Sequence, residues 1–226
     1  MPFSIAMDGP VGAGKSSVAD AVAKELGIIH LDTGAMYRAI GLYALENSID
    51  PDDEKAVSEL CEDGSIRVDV RYENGKQCTL LCGKDVSALL RDQRVGDAAS
   101  KVSRYAIVRK LMVKSQQEIA KKQSILIDGR DICTVVLPDA TVKIYLTASA
   151  EKRAERRRLQ LLEKGQDIPF DEILKEVNDR DWQDMHREVT PLRIADDAVV
   201  VDTSDCDFET SVQRIVDLVK GAEGNA

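Results

Sequence analysis

Short apolar runs alternate with stretches of helical spacing along most of this chain. Phe3-Ser4-Ile5-Ala6-Met7 is a run of strand type that stops at Asp8. Ser17 to Leu26 then places Val18, Ala21, Val22 and Leu26 at helical spacing. Gly27 to Leu31 reads as a second strand, and Asp32-Thr33-Gly34 leads into a helix that runs to about Glu46. Asn47 to Asp53 is polar, holds Pro51 and reads as a loop. Further on, the pattern predicts a helix over Ile107–Ala120, then strands over Ser124–Ile127 and Val142–Leu146. Helices follow over Ala150–Lys164 and Phe170–Asp184, separated by a break at Gly165–Pro169. Ala198–Val201 is a last strand and Glu209–Lys220 a closing amphipathic helix.

One region departs from this rhythm. Ser65 to Tyr72 alternates apolar and polar residues, Lys76 to Leu81 does so in part, and Glu73-Asn74-Gly75 between them is a turn signal. An antiparallel hairpin is expected there, inside a subdomain inserted at roughly 62–104. The remainder, 1–61 and 105–226, gives five buried strands with helical crossovers. The expected fold class is α/β, a doubly wound, mainly parallel five-stranded sheet flanked by helices.

The length of 226 residues suits one α/β domain with an insertion and allows a sizeable core. Asp and Glu number 40 against 31 Lys and Arg, a net charge of −9. That argues against general nucleic-acid binding, which favours a basic face. The five cysteines include no C-x-x-C pair and there are two histidines, so a zinc site is not expected and reduced thiols are. No basic-then-apolar leader opens the chain and no apolar run nears about 18 residues. The expectation is a soluble cytoplasmic protein that does not enter a membrane.

Chemistry concentrates first in Gly9-Pro10-Val11-Gly12-Ala13-Gly14-Lys15-Ser16, followed by Ser17. It fits G-x-x-x-x-G-K-[ST] between a strand and a helix, the context that a phosphate-binding loop requires. Its glycines let main-chain N–H groups curl around an anion at a helix N-terminus. Lys15 would reach the β- and γ-phosphates of a nucleotide, and the Ser16 hydroxyl would ligate Mg²⁺. The strand over Ser124–Ile127 ends in Asp128, whose carboxylate can hold Mg²⁺ directly or through water. Arg38 lies one turn into a helix at the carboxyl edge of the sheet, where open α/β sheets bind ligands, although a solvated arginine fits the same position. Arg153, Arg156, Arg157 and Arg158 crowd one helix, where Glu151, Glu155 and Glu163 would also suit a solvated charged face. Arg180, Asp184 and Arg187 fall at i, i+4 and i+7 of another.

These stretches together resemble the bacterial-type cytidylate kinases. The resemblance is carried by Gly9–Ser16, Leu31–Arg38, Ile127-Asp128-Gly129-Arg130-Asp131, Thr134–Ala140 with Lys143-Ile144, and Arg180-Asp181 with Asp184 and Arg187, in order and over nearly the whole chain. It implies a P-loop nucleoside monophosphate kinase fold with a core, a short lid at about 153–168 and a monophosphate-binding insert at 62–104. It implies transfer of the ATP γ-phosphoryl group to CMP or dCMP with Mg²⁺, and a monomer. Arg38, Arg130 and Arg180 would hold the acceptor phosphate with Arg187 beside them, while Arg153, Arg156 and Arg157 close over the donor phosphates. Thr33 and Asp184 would hold the sugar side, and Ser100, Arg109 and Asp131 would read the base. On these roles Lys15, Arg130, Arg153 and Arg157 are the catalytic set, and Gly165 is a hinge. Asp131 could instead serve only to pair with Arg130 or a lid arginine. Cys133 stands where the family often has Gly, which leaves the local main chain open.

Two other readings share some of these residues. A slow nucleotide switch would share the loop and Asp128 but would need no second set of arginines; a GTPase would also want N-K-x-D, which is absent. A kinase of another small acceptor, such as UMP, AMP or a hydroxy acid, differs only in the residues that read the acceptor.

Overall fold

The computed structural model describes residues 2–62 and 64–223. It opens with β1 (Ser4–Asp8), α1 (Lys15–Leu26), β2 (Ile29–Asp32), α2 (Thr33–Glu46) and α3 (Glu54–Glu62). The hairpin strands β3 (Val68–Glu73) and β4 (Lys76–Leu81) follow, then β5 (Lys84–Asp85), α4 (Gln93–Val102) and α5 (Ala106–Ala120). The chain continues through β6 (Ile125–Gly129), a π-turn at Ile132–Val136, β7 (Val142–Thr147), α6 (Ala150–Glu163), α7 (Phe170–His186), β8 (Val199–Asp202) and α8 (Phe208–Glu223). Five strands form one sheet in the order β2-β6-β1-β7-β8. β1 runs parallel to both β6 and β7, and β8 runs parallel to β7. This is the doubly wound α/β sheet expected from the run of strands and helices.

Contacts divide the chain into two compact bodies. One comprises residues 3–28 and 125–226. The central strands β1 and β6 are largely apolar and buried because both faces are covered, whereas Val199 and Val200 of the edge strand β8 are exposed. Ile5, Met7, Leu126, Ile144 and Leu146 are fully buried with Val18 and Val22 of α1 and Ile215, Val216 and Val219 of α8. A smaller core of Ala154, Leu161, Ile173 and Val177 joins α6 to α7. Gly27 ends α1 in the left-handed region at φ 67, as a helix C-terminus favours. Gly9 has φ 153, and a Cβ there would run into the Leu146 carbonyl, so only glycine lets β1 turn into the loop.

The other body holds residues 29–124. Asp32 caps α2 by accepting from Ala35 N at 3.0 Å. The hairpin pairs Val68 with Leu81 through Glu73 with Lys76, and its two turn residues, Asn74 and Gly75, both have positive φ, as a type I′ turn needs. Tyr72 Oη donates to His30 O at 2.9 Å, and Gln77 accepts from Asp32 N at 2.8 Å, so the hairpin is tied to the junction of β2 and α2. α2 and α4 cross where Gly41 leaves room: a Cβ there would meet Ala99 N at 2.7 Å. The hairpin lies where alternation predicted it, whereas α3, β5 and α4 were not expected, although Val95, Ala98, Ala99 and Val102 of α4 stand at i, i+3, i+4 and i+7, a helical period. Val57 is the one fully buried residue of α3, with Leu60 and Cys61 half-buried beside it at i+3 and i+4, and β5 has only two residues.

Candidate active site

The loop from Gly9 to Ser16 joins β1 to α1 in one body. Gly14 stands before the helix at φ 88, and α1 starts at Lys15 itself. Lys15 Nζ donates to Gly9 O at 2.8 Å and Pro10 O at 2.7 Å, so the loop wraps its own lysine. Burial, and then the Arg130 charge, lower the Lys15 pKa to about 7, with Asp128, Asp184 and Asp8 acting in the opposite sense. Ser16 Oγ donates to Asp128 Oδ2 at 2.9 Å, which brings together the hydroxyl and the carboxylate singled out in sequence. Two hard oxygen donors at one spot suit Mg²⁺.

Asp128 ends β6, and the segment after it carries a second set of charges. Arg130 Nε donates to Asp184 Oδ2 at 2.7 Å and its Nη1 to Gly129 O at 3.1 Å. Arg187 reaches Asp131 Oδ1 at 3.8 Å and Asp184 Oδ1 at 3.9 Å, with Nε donating to Thr190 O at 2.7 Å. Burial opposes the Asp184 charge, yet Arg130, Arg187 and Arg180 hold its carboxyl below the ordinary carboxylate range. Burial also opposes the Arg130 charge, and Asp184, Asp128 and Asp8 more than offset it. Arg130, Asp131, Arg180, Asp184 and Arg187 thus form one network, and Lys15 feels its field. The buried Asp131 has Arg187 beside it.

The arginines of α6 are not alike. Arg153 is 4 % exposed. Its Nε donates to Ala148 O at 2.9 Å, Nη1 to Val11 O at 2.9 Å and Asp181 Oδ1 at 3.0 Å, and Nη2 to Asp181 Oδ2 at 2.5 Å. Gly12 lies against it, since a Cβ there would meet Arg153 Cβ at 3.3 Å. Arg156 donates to Thr203 O at 2.7 Å and more weakly to Ala13 O at 3.5 Å. Arg157 is half-buried and Arg158 exposed.

In the 29–124 body, Thr33 is buried at the start of α2 and Arg38 is exposed one turn further on. Arg109 of α5 is buried, donates to Ser103 O at 3.1 Å, and sets its guanidinium over the Tyr37 ring at 5.5 Å. Ser103 Oγ donates in turn to Ser100 O at 3.1 Å, so Arg109 and Ser100 meet through Ser103.

Four residues that carry this geometry were given no site role from the sequence: Tyr37, Asp181, Thr203 and Asp8. The Tyr37 ring lies under the Arg109 guanidinium. Asp181 holds Arg153, and Thr203 holds Arg156. Asp8, fully buried, accepts from Ile132 N at 2.9 Å and Cys133 N at 2.8 Å. Burial raises its pKa, and those two N–H groups work the other way. A carboxylate at the end of a strand before a phosphate loop was the one available hint for Asp8. Cys133 turns its thiol to the carbonyls of Ala6 at 3.5 Å and Ile144 at 3.7 Å, into the sheet. Among the described residues no three His, Cys, Asp or Glu side chains are grouped for a metal ion, and no helix is long and apolar enough to cross a membrane.

Comparison with known proteins places the whole chain. A family model described as Cytidylate kinase matches residues 5–221. The chain is 46% identical over 216 residues to a cytidylate kinase of Caldicellulosiruptor bescii, covering 96% of this chain and 95% of the relative. It is 46% identical over 220 residues to one from Thermosipho melanesiensis, covering 97% and 98%. Among solved structures it is similar in fold to an uncharacterized protein from Eubacterium ventriosum, with a TM-score of 0.50 at 12% identity, covering 96% of this chain and 98% of that one. A match from the first strand to the last helix leaves no segment of the phosphate loop, the arginine network or the hairpin outside it: this chain belongs to the cytidylate kinase family and is an ATP-dependent nucleoside monophosphate kinase.

Proposed function

We propose that the chain transfers the γ-phosphoryl group of ATP to CMP or dCMP, giving CDP or dCDP and ADP, on a cytoplasmic nucleotide pool. The observation that carries this reading is a pair of anion sites in one body. The phosphate loop with Lys15 is one, and the Arg130–Asp184–Arg187 network is the other, close enough for Arg130 to depress the lysine pKa. A phosphate oxygen of the acceptor attacks the γ-phosphorus in line, and the bond to the β-bridging oxygen breaks as ADP leaves. Such a transfer needs positioning and spread positive charge more than covalent help. Lys15 and Arg157 would stabilise charge on the transferring group, and the loop main chain from Gly9 to Ser17 would cradle the donor. Ser16 and Asp128 would hold Mg²⁺, directly or through water, which when bound neutralises charge on the β- and γ-phosphates.

Arg38, Arg130 and Arg180, with Arg187, would hold the acceptor phosphate, whose oxygens match guanidinium forks. Asp184 and Thr33 would serve the sugar, and Asp131, Arg109 and Ser100 the base. Arg153 already makes four hydrogen bonds, so its part would be to fix the loop through Val11 and α7 through Asp181. Arg156 and Arg157, on the same helix, would meet the donor when the 153–168 lid closes and water is excluded. The division into core, lid and a 62–104 insert is part of this proposal, as is a monomer. The test is ADP formation from ATP with CMP, dCMP, UMP and AMP in turn, with and without Mg²⁺. CMP and dCMP should be phosphorylated far faster than UMP or AMP. Equal rates with UMP would refute the choice of cytosine, and ADP released without any acceptor would favour a slow nucleotide switch.

A further inference from the structure

We propose that Asp8 is a positioning residue for the acceptor nucleotide. It rests on the reading above that Arg130 and Asp131 handle the acceptor. Asp8 ends β1 and is fully buried. Its Oδ1 accepts from Ile132 N and its Oδ2 from Cys133 N, the two main-chain donors directly after Arg130-Asp131. Those residues open the π-turn, in which Val136 N donates to Asp131 O at 3.2 Å and Leu137 N to Ile132 O at 2.8 Å. The first N–H groups of such a turn have no partner inside it and need an outside acceptor.

An ionised carboxylate offers two oxygens to two adjacent donors, whereas an amide in the same place would set its NH₂ against one N–H. Burying a carboxyl group is costly, and it is tolerated where its oxygens are hydrogen-bonded. Both oxygens go to the main chain. The side chains of Ile132 and Cys133 are buried in turn, at 1 % and 2 % exposure. The segment is therefore held on two sides, main chain to Asp8 and side chains to the core. Arg130 and Asp131 leave from the fixed end, towards Asp184 and Arg187. Asp8 sets where both begin.

The experiment compares D8N, R130M and the double variant by steady-state kinetics, varying CMP and ATP separately, with thermal melts to register folding. D8N should raise the KM for CMP about tenfold while the KM for ATP stays within about twofold. The double variant should be no worse for CMP than R130M alone, because both act through one segment. A merely structural aspartate would lower the active fraction, and so kcat, with the KM for CMP unchanged; that result overturns the proposal. Equal rises in both KM values, or full additivity with R130M, overturn it as well. If R130M itself leaves the KM for CMP alone, the acceptor reading is wrong and this proposal falls with it. Should D8N not fold, D8S, which keeps a single small acceptor, is put through the same comparison.

Discussion

The loop at Gly9–Ser16 and the segment at Arg130–Val136 both follow a parallel strand and both carry a cation, Lys15 and Arg130, that the proposed function assigns to phosphate, yet they differ in what holds them. The first takes its curl within eight residues: glycines at φ 153, 74 and 88 turn the chain and Lys15 folds back on the carbonyls of Gly9 and Pro10, with Arg153 bracing it from outside through the Val11 carbonyl. The second depends on distant partners, because Asp8 pins its main chain and Asp184 holds Arg130 from far along the chain. A locally coded site keeps its shape through its own dihedral angles. A site coded by long-range contacts can be retuned by residues that never meet a substrate.

The largest effect should come from the local site. Lys15→Met removes a preorganised charge from the transferring group, and kcat should fall about a hundred- to a thousandfold in a protein that still folds. Near-normal turnover would take Lys15 off the reaction path. The long-range site should instead show itself in selectivity. Cytosine offers an amino donor where uracil has an acceptor, so a carboxylate facing that position accepts from one and repels the other. Asp131→Ala should lower the ratio of kcat/KM for CMP over UMP by about ten- to a hundredfold. Should both substrates fall together, Asp131 serves only its pairing with Arg187, and the base is read elsewhere.

The same contrast decides what could be read from the chain alone. The phosphate loop, Asp128 at a strand end, the hairpin and the arginines were legible because each signal fits within a few residues. Ser16 and Asp128 could be named as partners because two motifs shared one ligand chemistry. What Arg153 does was not legible: its place on an arginine-rich helix suggested an open lid cation, and only the fold brings Asp181 and the Val11 carbonyl to it. Tyr37 under Arg109 and Asp8 under the π-turn are contacts between residues far apart in sequence, with no periodicity to announce them. The helices α3 and α4 were missed for a different reason: Val57, Leu60 and Cys61 stand at i, i+3 and i+4, and Val95, Ala98, Ala99 and Val102 at i, i+3, i+4 and i+7, but the alternating hairpin between them set the expectation for the whole region.

A split between two arginines sharpens the comparison further. Arg180 belongs to the network around Asp184, and truncating one member of such a charged set costs about 2 kcal/mol or more. Arg180→Ala should therefore raise the KM for CMP about thirtyfold with a smaller change in kcat. Arg157→Ala should lower kcat about tenfold and leave the KM for CMP within a few-fold, since its engagement waits on the donor. Identical kinetic signatures from the two variants would mean that lid and acceptor roles are not separate.

The smallest effect tests whether the two sites act on each other. Lys15 has a pKa of about 7 in the folded protein against an ordinary 10.5, through burial first and Arg130 second, with Asp128, Asp184 and Asp8 pulling the other way. Between those two values the unfolded chain holds a proton that the folded protein has released. Raising the pH therefore favours folding across that window, and the lysine's cost to stability is fully present below about pH 7. The slope can reach at most about 1.4 kcal/mol per pH unit for one group. Urea unfolding of the wild type and of Lys15→Met, each from pH 7.5 to 9 under reducing conditions, isolates it, because all other groups are common to both. The stability of the wild type relative to the variant should climb by about 1 kcal/mol per pH unit. A difference that stays flat would show that the lysine is not depressed. Repeating the pair in an Arg130→Met background removes the second cause, so the Lys15 pKa should move back up and the climb should shift to higher pH. If it does not shift, the arginine network and the phosphate loop share a fold but not a field.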